Sequence, residues 1–129
     1  MSDTFGVLEA WNETNELPIS WHLSQRDRRV HCFLEWLSEL TDSESLLVLE
    51  TDQSVLGEWN ADERLRANLL QWKTPWKQES LEGGSVFQGG WIQLASGRVA
   101  LGVSTSVTLD RSFFNTISDM LVAVLALNS

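Results

Sequence analysis

Residues 90–121, GWIQLASGRVALGVSTSVTLDRSFFNTISDML, give the clearest indication of the fold. Two segments rich in strand-forming residues, 85–94 and 98–105, lie on either side of the turn-forming tripeptide Ala95-Ser96-Gly97, which predicts a β-hairpin. A helical pattern then follows over 111–127, and Asp110 can cap its first turn. Its apolar positions recur at helical spacing: Phe113, Ile117, Met120, Leu121 and Val124.

Two further helices are predicted upstream of the hairpin. The first runs from Thr4 to Asn15 and ends before Pro18, because the residue that precedes a proline avoids helical angles. The second begins at Asn60, which can form a capping box with Glu63. This second helix ends before Pro75, and its apolar stripe consists of Leu65, Leu69 and Trp72.

Three strands are predicted between those two helices. Apolar and polar residues alternate over 19–23 and again over 29–37, as in half-buried strands. Residues 46–49, LLVL, are continuously apolar, as in a strand covered on both faces. The predicted order is therefore αβββαββα in a single domain, 1–129. This order is an α+β fold in which helices pack on a mostly antiparallel sheet.

Composition and charge restrict the function. The chain has 129 residues, of which 43% are hydrophobic, enough to bury a core without metals or disulfides. Its net charge of −9 argues against nucleic acid as a partner, since phosphates repel an acidic surface. The longest apolar stretch, 113–127, is shorter than the roughly 20 residues of a membrane-spanning helix. The polar start of the chain and the single cysteine, Cys32, predict a cytoplasmic protein.

The sequence carries no motif for catalysis, metal binding or cofactor binding. His22 and His31 are the two histidines, and on a strand His31 and Cys32 would point to opposite faces, so they could not share a metal ion. The glycine pairs at 83–84 and 89–90 lack the spacing of a dinucleotide or phosphate loop. We therefore expect no catalytic residue, no metal site and no cofactor.

Tryptophan is the unusual component. The chain has seven tryptophans and no tyrosine. Tryptophan is large, rarely fully buried and enriched where proteins contact each other. A domain of this size cannot easily bury seven indole rings, so we expect two or three of them to serve an interface.

Several stretches together resemble the class I type III secretion chaperones. They are residues 5–11 followed by Glu16-Leu17-Pro18, the segment RLRANLL at 64–70, and the hairpin and helix of residues 90–121. The resemblance implies a non-enzymatic protein of the bacterial cytoplasm that binds an extended segment of a secreted effector or gatekeeper protein. It also implies a homodimer, or a heterodimer with a related chaperone.

The same resemblance implies two sets of site residues. The first helix and early strands would bind the client through Leu8, Trp11, Trp21, Leu34 and Trp36. The second helix and the following strand would form the dimer interface through Leu65, Leu69, Trp72 and Trp91. An acidic immunity protein that neutralises a basic toxin is the alternative, because small size, negative charge and exposed aromatic residues fit it equally well. An enzyme with a spatially assembled site is a third possibility.

Overall fold

The computed structural model describes residues 4–51, 54–61, 63–71, 76–80, 84–94 and 97–126. Within these ranges the chain forms five helices and five strands. In chain order they are α1 (Thr4–Thr14), α2 (Ile19–His22), α3 (Arg26–Thr41), β1 (Ser45–Glu50), β2 (Val55–Trp59), α4 (Glu63–Gln71), β3 (Lys77–Ser80), β4 (Val86–Leu94), β5 (Gly97–Thr105) and α5 (Arg111–Ala126).

The five strands form one antiparallel sheet in the order β2-β1-β5-β4-β3. The hairpin predicted from residues 90–103 is present, and β4 pairs with β5 from Val86↔Thr105 to Leu94↔Gly97. β1 pairs with β5 on one side and with β2 on the other. The prediction of an α+β fold with an antiparallel sheet packed by helices is therefore confirmed.

Helices cover the sheet unequally on its two faces. The larger core lies on the face covered by α3 and α5, where the side chains of β1 and β5 that point to this face include Leu46, Val48 and Leu101. The smaller core lies under α4 on the opposite face, where Leu65 and Leu69 pack on the other side of the sheet. Alternation along the strands thus separates two apolar clusters, and among the described helices α4 is the one that covers the smaller cluster.

The prediction of strands over 19–23 and 29–37 is wrong, because both segments are helical. Residues 19–22 form α2, and 29–37 lie within α3. Val30, Phe33, Leu34 and Leu37 are fully buried while His31 and Glu35 are exposed, which is a helical repeat. The observed order is αααββαβββα rather than αβββαββα, and β2 and β3 are strands that the sequence did not predict.

A buried arginine connects three of the helices. Arg29 of α3 is fully buried. Its Nε donates a hydrogen bond to the carbonyl oxygen of Val124 in the last turn of α5, at 3.1 Å. Its Nη1 donates to the carbonyl oxygen of Ser24, just after α2, at 2.7 Å. The positive charge therefore lies where the carbonyl groups at a helix C-terminus need donors.

A buried glutamine fixes the loop between β5 and α5. The Nε2 of Gln88 donates to Thr105 Oγ1 at 2.8 Å and to the Val107 carbonyl oxygen at 3.3 Å. The backbone N–H of Leu109 donates to Gln88 Oε1 at 2.6 Å. Both ends of the buried amide are thus satisfied, as burial of a polar side chain requires.

We predict that Gln88→Leu lowers the free energy of unfolding by about 2 kcal/mol, because the N–H of Leu109 loses its acceptor and Thr105 Oγ1 and the Val107 carbonyl oxygen each lose a donor. Urea denaturation followed by circular dichroism measures this loss. Gln71→Leu, at an exposed position of α4, is the matched control and is expected to change stability by less than about 0.5 kcal/mol. Equal stabilities of the two variants would contradict the role given to Gln88.

No helix within the described ranges combines the length and the apolar character needed to cross a bilayer.

Candidate interaction surface

Helix α4 lies directly on two glycines of the sheet. A Cβ atom placed on Gly102 would lie 3.0 Å from Leu69 Cδ2 and 3.3 Å from Leu65 Cδ1. A Cβ atom on Gly89 would lie 3.3 Å from Leu69 Cδ1 and would clash with the Leu101 carbonyl oxygen. The missing side chains therefore allow α4 to approach the backbone of β4 and β5 closely.

The outward side of α4 is polar, with one small residue in its middle. Leu65 and Leu69 are fully buried against the sheet. The exposed residues of the helix are Glu63, Arg64, Arg66, Ala67 and Gln71. A second helix could pack on this side at Ala67. Acidic, basic and amide side chains surround Ala67 and could pair with polar groups of that helix.

The neighbouring strand β3 forms one edge of the sheet. It pairs with β4 from Lys77↔Gly89 to Ser80↔Val86, and it is the last strand in the sheet order. All four of its residues are exposed. Its outer side therefore presents backbone donors and acceptors that another strand could use.

Trp91 joins β4 to α4. Its ring is half-buried next to the smaller core. The indole N–H donates a hydrogen bond to the Leu69 carbonyl oxygen at 3.2 Å. On the other side, the Arg98 guanidinium carbon lies 5.5 Å from the ring centre, within the range of a cation–π contact. The ring is therefore held in one place by α4 and by β5.

The residues predicted to bind a client do not form a groove. Trp11, Trp21, Leu34 and Trp36 belong to the larger core, and the most exposed of them, Trp11, retains 9% of its surface. Leu8 is half-buried and packs against that core. The ring of Trp21 meets the ring of Trp36 edge-on at 6.1 Å. These side chains fix α1 and α2 onto α3.

The residues predicted to form a dimer interface do not share one environment in the structure. Leu65 and Leu69 are on α4 as expected, but they face the sheet of their own protomer. Trp91 is half-buried beside them. Trp72 lies outside the described residues. The sequence predicted this helix but not which of its sides faces outward, and it did not predict strand β3, whose residues Lys-Gln-Glu-Ser show no apolar alternation. The dimer interface itself stays a prediction.

The described part of the chain brings together no group of three or more histidine, cysteine, aspartate or glutamate residues that could hold a metal ion. His22 and His31 are both exposed, on different helices. Cys32 is half-buried.

No protein-family model and no curated protein sequence matches this chain. The fold is of the roadblock class, an α+β arrangement with a five-stranded antiparallel sheet packed by helices. Within that class it is similar to the solved structure of Myxococcus xanthus MglB, with a TM-score of 0.58 at 10% sequence identity, over 78% of this chain and 90% of that chain. At this identity the likeness defines the fold.

This likeness corrects the interpretation drawn from the sequence. The assignment to the class I type III secretion chaperones is wrong, and so is the function inferred from it, the binding of a secreted effector or gatekeeper protein. The likeness gives no support to an immunity protein either. The hairpin and helix of residues 90–121 were predicted correctly, but that segment alone does not distinguish a chaperone from a roadblock fold.

Proposed function

We propose that this protein is a homodimeric regulator of the roadblock class that binds a small GTPase in the cytoplasm and performs no catalysis with residues of its own. The observation that carries the proposal is the structural likeness to MglB, since MglB-like proteins are homodimers that bind small GTPases. The net charge of −9 supports a protein partner rather than nucleic acid.

The exposed edge at β3 and the outward side of α4 supply the surface for the dimer. Two copies of β3 related by a two-fold axis would pair antiparallel and extend the sheet across both protomers. If Gln78 lies opposite itself, Lys77 of each copy lies opposite Glu79 of the other, and opposite charges on facing strands stabilise the pair. The two α4 helices would then lie on the same face of the extended sheet, with their outward sides and Ala67 available to each other, since α4 lies over β5, β1 and β4.

This arrangement predicts that Glu79→Lys dissociates the dimer, because it places two lysines opposite each other on each half of the strand pair. Mass measured by size-exclusion chromatography with light scattering is expected to fall from dimer to monomer at about 10 µM protein. The double variant Lys77→Glu/Glu79→Lys exchanges the charges and is expected to restore the dimer.

Glu58→Lys is the matched control. Glu58 is an exposed glutamate on β2, the strand at the opposite edge of the sheet, and the change alters the net charge by the same amount. We expect this variant to remain dimeric. A monomeric native protein, or a dimer that Glu79→Lys and Glu58→Lys affect equally, would contradict the β3 interface.

Binding of a GTPase is tested separately. Small GTPases of the same organism are purified, loaded with GDP or with a non-hydrolysable GTP analogue, and titrated against the native dimer by calorimetry. We expect one GTPase to bind at least tenfold more tightly in one nucleotide state, because a regulator must distinguish the two states. Equal or absent binding in both states for every GTPase would contradict the proposed function while leaving the dimer in place.

A further inference from the structure

A small cavity lies at one end of the larger core, beside the first residue of α3. Its volume is about 220 Å³, and its lining comes from Arg26 of α3 and from the ends of the strands β1, β2, β4 and β5. We call it the α3–sheet pocket. It is smaller than the pockets of roughly 300–1,000 Å³ that hold drug-sized ligands. A ligand of this pocket must therefore be a small molecule.

The part of the α3–sheet pocket that lies on the core is apolar. Val99 belongs to the larger core and is almost fully buried. Leu56 and Leu94 are half-buried and pack against the same core, and all three residues line the pocket. An apolar side chain that contacts them is removed from water, which is favourable in proportion to the area buried.

A cation and a carboxylate lie side by side above this apolar part. Glu50 is the last residue of β1 and follows Leu46 and Val48 on the same face of the sheet. Arg26 Nη2 lies 3.7 Å from Glu50 Oε1, and the two side chains remain 46% and 37% exposed. This distance is longer than the roughly 2.7–2.9 Å of a charge-assisted hydrogen bond. A ligand can therefore bind both groups without first breaking a strong hydrogen bond.

Thr51 fixes the wall of the pocket between β1 and β5. Its Oγ1 accepts a hydrogen bond from the backbone N–H of Arg98 at 3.0 Å and donates one to the Arg98 carbonyl oxygen at 2.9 Å. The side chain thus continues the strand pairing one residue beyond Glu50↔Val99. The turn after β1 is also closed, since the Glu50 N–H donates to the Ser54 carbonyl oxygen at 2.9 Å. The pocket is therefore formed before a ligand binds, which lowers the cost of binding.

We propose that the α3–sheet pocket binds a free α-amino acid with an apolar side chain. Arg26 pairs with its carboxylate, Glu50 pairs with its ammonium group, and its side chain packs on Leu56, Leu94 and Val99. An amino acid carries both charges on one carbon atom, which matches an arginine and a glutamate that lie side by side. A ligand with a carboxylate alone is repelled by Glu50, and a ligand with an amine alone is repelled by Arg26. The proposal does not depend on a GTPase, because the residues that carry it belong to one protomer.

The first test uses the full-length native protein, leucine and three analogues that each lack one feature. Leucinamide lacks the carboxylate, N-acetyl-leucine lacks the ammonium group, and glycine lacks the apolar side chain. Binding is followed by NMR through the backbone amides of Glu50, Thr51 and Val99. We expect leucine to shift these amides with a Kd of about 0.1–1 mM and to bind about tenfold more tightly than each analogue. N-acetyl-leucine also represents the C-terminus of a peptide, so it distinguishes a free amino acid from a chain end.

Variants of the two charged residues make a sharper test, because each should remove one preference and keep the other. Glu50→Gln should remove the preference for leucine over N-acetyl-leucine. Arg26→Gln should remove the preference for leucine over leucinamide. Both side chains are partly exposed, so neither change opens the core, and circular dichroism checks the fold. Arg28→Gln and Glu58→Gln, at exposed positions of α3 and β2, are the matched controls and should leave both preferences unchanged.

Three results would overturn the proposal. One is that leucine does not shift the amides of Glu50, Thr51 and Val99 at about 10 mM, well above the expected Kd. Another is that N-acetyl-leucine or leucinamide binds the native protein as tightly as leucine. The third is that both preferences survive in Arg26→Gln and in Glu50→Gln. None of these results affects the proposed function, which is tested with a different partner and through the dimer.

Discussion

Replacement of Arg29 by methionine is expected to lower the free energy of unfolding by about 3–4 kcal/mol. Methionine keeps much of the apolar stem but loses the charged donors. The buried carbonyl oxygen of Val124 and the partly buried one of Ser24 then lose those donors, and a buried group left without a partner costs about 1–3 kcal/mol. The change also removes a positive charge from the C-terminal end of α5, where it is stabilising.

Chemical denaturation followed by circular dichroism measures the effect of Arg29→Met. Arg28→Met is the matched control, because Arg28 is the neighbouring residue on the same helix and is exposed. Arg29→Lys should fall between the native protein and Arg29→Met, since lysine keeps the charge but lacks the planar group of donors that reaches two carbonyls. If Arg28→Met and Arg29→Met lost the same stability, Arg29 would not hold α2 and α5 to α3.

The contact between α4 and the sheet gives the second large effect. Gly102→Ala is expected to cost about 1–3 kcal/mol by overpacking, because the new methyl group meets Leu69 Cδ2 at 3.0 Å. Leu69→Ala alone is expected to cost about 2–5 kcal/mol, since it removes a fully buried side chain from the smaller core.

The double variant Gly102→Ala/Leu69→Ala distinguishes overpacking from other causes. The methyl group on residue 102 would occupy part of the space that Leu69 leaves, so the double variant should lose at least about 1 kcal/mol less than the sum of the two single losses. Denaturation of all four proteins completes the cycle. Strict additivity would show that α4 does not rest on Gly102 in the way described.

The sequence pattern predicted an element correctly where the residues that are buried in the structure follow the pattern expected for that element. The hairpin of β4 and β5, the helix after Asp110 and the apolar strand at 46–49 were predicted because each buries the residues that its period predicts. The helix containing Leu65 and Leu69 was also predicted. Its outward side was not, because a single stripe of leucines tells which side is buried but not what lies against the other side.

The errors have two physical causes. Over 29–37, Val30, Leu34 and Trp36 fit alternation as well as a helix, and only burial of Phe33 and Leu37 distinguishes the two. The second cause concerns the two edge strands, β2 and β3. Their residues are determined by the elements that lie against them, so their sequences show no alternation of apolar and polar residues. β2 contains Gly57, where a Cβ atom would lie 2.6 Å from Val30 Cγ1, so its sequence reflects the close approach of α3. β3 is entirely polar because all of it is exposed.

The tryptophans explain why the sequence suggested a client-binding surface, an interpretation that is wrong. A high content of indole rings suggested an aromatic binding surface, yet Trp11, Trp21 and Trp36 are used to attach the N-terminal helices to α3. Whether a tryptophan packs in the core or lies in a binding surface depends on contacts between distant parts of the chain. A single sequence does not reveal those contacts. The candidate surface was found instead through the glycines under α4 and through a short, exposed, polar strand at the end of the sheet order.

The separation of the two cores by the sheet has a spectroscopic consequence. Trp11, Trp21, Trp36, Trp59 and Trp76 all lie in or against the larger core, and Trp91 is the described indole beside the smaller one. Among the described indoles, most therefore report on the face that α3 covers, whereas Trp91 is the one placed to report on loosening of α4. A fluorescent probe placed on α4 would make visible a motion that five of the six described indoles do not sense.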